Sequence, residues 1–132
     1  MEGTARSVTL SVTIEVPYEV AFDYLSDGRH ASEWGVNFVL GVKDSPGGGL
    51  TMATPFGERP FSVRADRETG LVDHIVGEDV FPARVVPNGH GVDYMITLQQ
   101  PPNMPDEAFD TEGVPGLREE MVTLKNILES KS

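Results

Sequence analysis

Apolar and polar residues alternate almost without fault near the start of the chain. Val8, Leu10, Val12, Ile14 and Val16 fall between Ser7, Thr9, Ser11, Thr13 and Glu15. A period of two marks a strand with one buried and one solvated face. Pro17 ends that strand and fits the first turn of a helix, where its missing N–H costs nothing. Val20, Ala21, Tyr24 and Leu25 then recur at helical spacing over 17–26 and predict a short amphipathic helix. Asp27-Gly28 breaks it, and a second short helix is expected at about 30–34, closed by Gly35.

From there the pattern returns to short strands separated by turn residues. Val36, Phe38, Leu40 and Val42 alternate through 36–43, and a Ser-Pro-Gly-rich loop follows over 44–49. Segments 50–54 and 59–66 read as a hairpin across Pro55-Phe56-Gly57, with 71–76 as the next strand. Segments 80–86 and 92–98 pair across Pro87-Asn88-Gly89-His90-Gly91, a strong turn signal. After Gln99-Gln100-Pro101-Pro102 a helix is expected to start near Asp106. Asp106, Glu107, Asp110 and Glu112 suit the positive end of its dipole. Leu117, Met121, Leu124 and Leu128, widened by Ile127, form one apolar stripe, while Gly113, Pro115 and Gly116 should break or kink the helix near its start.

The predicted architecture is α+β: a curved antiparallel sheet of about seven strands, in the order β-α-α-β6-α, wrapped around a long C-terminal helix. No internal repeat or linker divides the chain, so one domain over 1–132 is expected.

Several segments resemble the START-like, or helix-grip, superfamily, to which the major birch-pollen allergen belongs. They are Ile14-Glu15-Val16-Pro17, Val20, Phe22, Leu25-Ser26-Asp27 and Trp34, then Val72-Asp73-His74-Ile75-Val76, Arg84-Val85-Val86-Pro87-Asn88-Gly89 and the Leu117–Leu128 stripe. Within that superfamily the chain is most similar to small bacterial SRPBCC proteins labelled polyketide cyclase/dehydrase. The resemblance implies a cavity between sheet and terminal helix that holds a hydrophobic small molecule: a lipid, polyketide or aromatic metabolite. With alternation deciding which side chains face inward, its walls are expected to be Phe38, Leu40, Met52, Phe61, Val63, His74, Phe81, Tyr94, Ile96, Leu117 and Met121, with Trp34 at one end.

Composition narrows the partners. The formal net charge is −11, from 10 basic and 21 acidic residues. Such a surface repels phosphate backbones and anionic headgroups, so neither nucleic acid nor a membrane is an expected partner. No apolar run approaches the roughly 20 residues of a membrane span. The N-terminus lacks the build of a signal peptide, which makes the cytoplasm the expected location. The chain has no cysteine, which excludes disulfides and thiolate chemistry.

The candidate chemistry is sparse. His74 could donate or accept a proton in an apolar chamber if Val72 and Val76 face inward, but Leu71, Asp73 and Ile75 make an equally good inner face. Asp73 is adjacent in the strand and points the opposite way, so the two form no simple dyad. Tyr94 could offer its hydroxyl to a ligand. An aromatase/cyclase or dehydrase using His74 and Tyr94 as general acid and base is therefore the alternative to a binding module. A protein-interaction or oligomeric module, such as a homodimer, is a third reading. His30, His74 and His90 have no metal-ligand spacing, and Gly47-Gly48-Gly49 is followed by no Gly-Lys-Ser/Thr, so neither metal nor cofactor is expected.

Overall fold

The computed structural model describes residues 3–131. Ser7–Ile14 forms β1, with Leu10 and Ile14 buried and the hydroxyl-bearing positions outside. Pro17 caps α1, Tyr18–Ser26, as its carbonyl accepts from the Ala21 N–H at 3.2 Å. Helix α1 buries Ala21, Phe22, Tyr24 and Leu25, whereas Val20 faces out. The Asp27 carboxylate accepts the Arg29 N–H at 3.0 Å and starts a 3-10 turn, Gly28–His30. That turn leads into α2, Ala31–Trp34, which Gly35 closes by donating to the Ala31 carbonyl.

The remaining strands are β2 Gly41–Asp44, β3 Leu50–Thr54, β4 Gly57–Asp66, β5 Leu71–Val76, β6 Asp79–Phe81, β7 Ala83–Asn88 and β8 Gly91–Gln99. They make one sheet in the order β1-β8-β7-β5-β4-β3-β2, with β6 paired to β5. All pairings are antiparallel, and β1 lies along β8 from Ser7 opposite Gln99 to Ile14 opposite Val92. The last segment runs from α3, Asp106–Ala108, through a π-helical turn, Phe109–Gly113, into α4, Val114–Lys131. This curved antiparallel sheet around a long C-terminal helix is the helix-grip α+β architecture.

Three local expectations need correction. The strand expected over 36–43 shrinks to Gly41–Asp44, because the Phe38 and Val39 N–H groups fold back onto the Gly35 carbonyl. The strand expected over 80–86 divides at Pro82, which has no N–H to donate to a ladder. Pro115 does not break the last helix. The π turn ahead of it re-pairs the backbone, and the Val114 N–H reaches back five residues to the Phe109 carbonyl.

Helix α4 grips one half of the sheet. Leu124 and Leu128 are fully buried with Ile14, Val72, Val85, Val92 and Tyr94 in the main core. A second cluster of Ala31, Met52, Phe61 and Val76 fills the β3–β5 half. Between β4 and β5 the chain turns at Gly70, whose φ is +80° and whose carbonyl accepts the Val85 N–H of β7 at 2.8 Å. A Cβ there would lie 2.0 Å from the Val85 carbonyl oxygen. Gly89 also has positive φ (+59°), but nothing lies within 4 Å of its added Cβ. Gly89→Ala should therefore cost about 1 kcal/mol from backbone conformation alone, and Gly70→Ala more than about 2 kcal/mol because the Val85 carbonyl must also move. Urea unfolding of the two variants checks this, and equal costs would contradict it.

Candidate functional site

The two halves of the sheet diverge beneath the start of α4 and leave a cavity of about 370 Å³. Its floor is Met52 of β3, His74 and Val76 of β5, Phe81 of β6, and Ile96 and Leu98 of β8. Ala31 and Trp34 of α2 form one wall, Asn37, Phe38 and Val39 another, and Leu117 and Glu120 of α4 the roof. Pro55, Phe56, Met104 and Glu112 reach it from the β3–β4 hairpin tip and the approach to α4. Phe56 is 60% exposed, an apolar ring held in water at the rim.

The open question about β5 has one answer here: Val72, His74 and Val76 face inward and all are buried. Asp73 points to the opposite face, where its carboxylate accepts the Ala83 N–H at 3.0 Å. The His74 imidazole lies 6.1 Å from and parallel to the Phe61 ring, with Trp34 edge-on at 6.0 Å. Its Nε2 sits 3.3 Å from the Tyr94 hydroxyl. That hydroxyl is fully buried and has no other partner among the described residues. No buried hydrogen is left unbonded when Tyr94 donates to Nε2, which places the ring proton on Nδ1. No described residue bonds Nδ1, yet no sealed polar side-chain atom lacks a partner, so Nδ1 looks onto the cavity.

Burial pushes the His74 pKa down to about 4, with the negative charge of Asp73 pulling weakly the other way. The imidazole is therefore neutral near pH 7. Burial likewise raises the Tyr94 pKa and keeps its hydroxyl protonated. Together they present one N–H donor on an apolar floor.

The second polar group is Glu120, 7% exposed. Its Oε2 accepts the backbone N–H groups of Asn37 at 2.9 Å and Phe38 at 3.2 Å. This ties the loop after α2 to the roof helix. Burial raises its pKa, and the two backbone hydrogen bonds act against that rise. Pattern reasoning overlooked Glu120, although it sits three residues after Leu117 and four before Leu124, on the apolar stripe itself. Phe109 was missed because the π turn that carries it has no simple periodicity, and Met104 because it lies in the irregular turn after Pro101.

Of the expected wall residues, Trp34, Phe38, Met52, His74, Phe81, Ile96 and Leu117 reach the cavity. Leu40 does not: it is 64% exposed, because the strand that would have turned it inward begins only at Gly41. Phe61 and Val63 lie against and beside His74 rather than on the surface of the cavity. Tyr94 sits behind the His74 and Trp34 rings, and Met121 points into the packed core. Among the described residues no three His, Asp or Glu side chains converge as a metal would require. No described helix is long and apolar enough to cross a membrane.

No protein-family model and no curated protein matches the sequence. Solved structures do match. A START superfamily protein from Mycobacterium smegmatis is 13% identical, with 96% of this chain and 99% of that one covered at a TM-score of 0.70. The ZhuI aromatase/cyclase from Streptomyces sp. R1128 is 12% identical, covering 96% and 94% at 0.69. Ara h 8.0201 is 10% identical, covering 96% and 99% at 0.61. At these identities the likeness is one of fold, and the fold is START-like.

The depressed His74 pKa sets a sign for stability. Between pH 4 and 6.5 the unfolded histidine holds a proton that the folded one refuses, so its contribution is full above the unfolded value and is lost as pH falls through that window. The shift corresponds to about 3 kcal/mol. Glu120, with a raised pKa, acts in the opposite sense and is common to both proteins compared. Denaturant unfolding at pH 7 and pH 4 should show a smaller acid loss for His74→Gln than for the unaltered chain, by most of that amount. Identical pH profiles would mean that His74 titrates normally.

Proposed function

We propose that this chain is a binding module for a hydrophobic small molecule, held between the curved sheet and α4. The cavity is the observation that supports this most directly. About 370 Å³ falls within the range of small-molecule pockets, and most of the wall is apolar. Burial of the ligand's apolar surface supplies the affinity, at roughly 25 cal/mol per Å² removed from water. His74 Nδ1–H and Glu120 are the polar groups placed to orient it.

A second reading, aromatase/cyclase or dehydrase-type catalysis, draws on the exposure of His74 to the same cavity. Its chemistry is less well served. A neutral imidazole with a pKa near 4 is a weak base and, near pH 7, has no second proton to give. Tyr94 supports that ring from behind rather than meeting a ligand itself.

Native mass spectrometry of the protein purified from its own host should show a retained small molecule. Leu98→Trp, which fills the cavity from a half-buried floor position, should cut retention by about tenfold or more, equivalent to ~1.4 kcal/mol, with little change in melting temperature. Undiminished retention by a folded Leu98→Trp would place the ligand elsewhere.

A further inference from the structure

The charges on the cavity wall are all of one sign. Glu112 and Glu120 line it, His74 is neutral, and no lysine or arginine reaches it. Glu112 is exposed at the rim, where water screens it. Glu120 is different. It is 7% exposed and, among the described residues, pairs with no cationic side chain. Its Oε2 is satisfied by two backbone N–H groups, while no described residue donates to Oε1. Since no sealed polar side-chain atom lacks a partner, Oε1 is open to the space it borders.

An unpaired carboxylate in an apolar enclosure is costly to keep charged, and a cation arriving beside it removes that cost. The surroundings favour a cation in two further ways. The side chains of Trp34, Phe38 and Phe81 border the same space, and aromatic rings attract alkylammonium groups. The formal charge of −11 concentrates cations and repels anions at the entrance. A fatty acid, by contrast, would bring its carboxylate to a chamber lined by two acids and by no cationic side chain among the described residues.

Accepting the cavity as a ligand chamber, we propose that its ligand is an amphiphilic amine: a hydrophobic body ending in a protonated nitrogen that pairs with Glu120 Oε1. The body lies along Phe81, Ile96 and Met52. Glu112 steers the approaching ammonium group at the rim and leaves final recognition to Glu120.

Decylamine, decanol and decanoate share one chain and differ only in the head group. Each is titrated near neutral pH, below its aggregation threshold, by calorimetry and by the fluorescence of Trp34, the single tryptophan. Decylamine should bind at least about tenfold more tightly than decanoate, with decanol between them. Glu120→Gln keeps an oxygen for the two backbone N–H groups and removes the charge, so it should erase the preference for decylamine over decanol. Glu112→Gln should alter the preference by less than about threefold, as expected for a screened rim charge. Decanoate binding as tightly as decylamine overturns the proposal, as does an amine preference that survives Glu120→Gln. Both outcomes leave the chamber reading intact, since the chains still bind. Failure of all three to bind the folded protein overturns that reading and the amine proposal together. Should Glu120→Gln not fold, the order of the three ligands on the unaltered protein decides alone.

Discussion

An antiparallel sheet with one apolar face must cover that face, and here a single helix has to do it. Seven hydrogen-bonded strands at about 4.8 Å spacing span about 30 Å, whereas a helix with its side chains is about 10 Å wide. Curvature makes up part of the difference by folding the sheet around α4. The two short helices α1 and α2 close one side with Phe22, Leu25 and Trp34. What remains is an unequal fit. The C-terminal half of α4 is seated fully through Leu124 and Leu128, while its first turns stand away from the floor above His74 and Ile96. The cavity is the residue of that mismatch, and every other feature of the site is arranged around it.

Polar groups at such a place must be satisfied from within the protein, and the two main ones are satisfied differently. His74 gives up its charge and shares a hydrogen bond with Tyr94, between the Phe61 and Trp34 rings. Glu120 instead gathers two backbone donors from the loop after α2. Truncating it would leave the Asn37 N–H without that partner and the Phe38 N–H with the Gly35 carbonyl alone, at a cost of about 1–3 kcal/mol. The same carboxylate that faces the chamber therefore also fixes one of its walls.

The division between what was legible in the sequence and what was not follows the range of the interactions involved. Strand β1, the β3–β4 and β7–β8 hairpins and the α4 stripe were readable because their patterns arise from neighbours a few residues apart. The inward face of β5 was ambiguous, since Leu71-Val72-Asp73-His74-Ile75-Val76 offers two apolar sets. Only the cross-sheet demand for Asp73 at the Ala83 N–H decides between them. The alternation of Val36, Phe38, Leu40 and Val42 misled for a related reason. The backbone donor a strand would have used at Asn37 is taken by Glu120, more than eighty residues away in sequence, and the one at Phe38 is shared between Glu120 and the Gly35 carbonyl. A local pattern cannot register a competitor at that distance. Glu120 itself was hidden because a carboxylate on an apolar stripe reads as an interruption until its partners are known.

Pro115 shows how a local defect becomes part of the chamber. In an unbroken α-helix its nitrogen would face the Thr111 carbonyl with nothing to donate, and its ring would press against that carbonyl. The π turn over Phe109–Gly113 resolves the conflict by widening the helix one turn early. Widening rotates Phe109 inward until it is 2% exposed. It also leaves Gly113 bordering the cavity, where an added Cβ would come within 3.4 Å of the Phe109 ring and 3.6 Å of the Met104 sulfur. The wide turn thus falls where α4 stands off the sheet, and not where Leu124 and Leu128 need regular spacing to seat. A proline placed two turns later would have disrupted the grip; placed at 115, it shapes the end of the cavity at which Glu112 and Glu120 are presented.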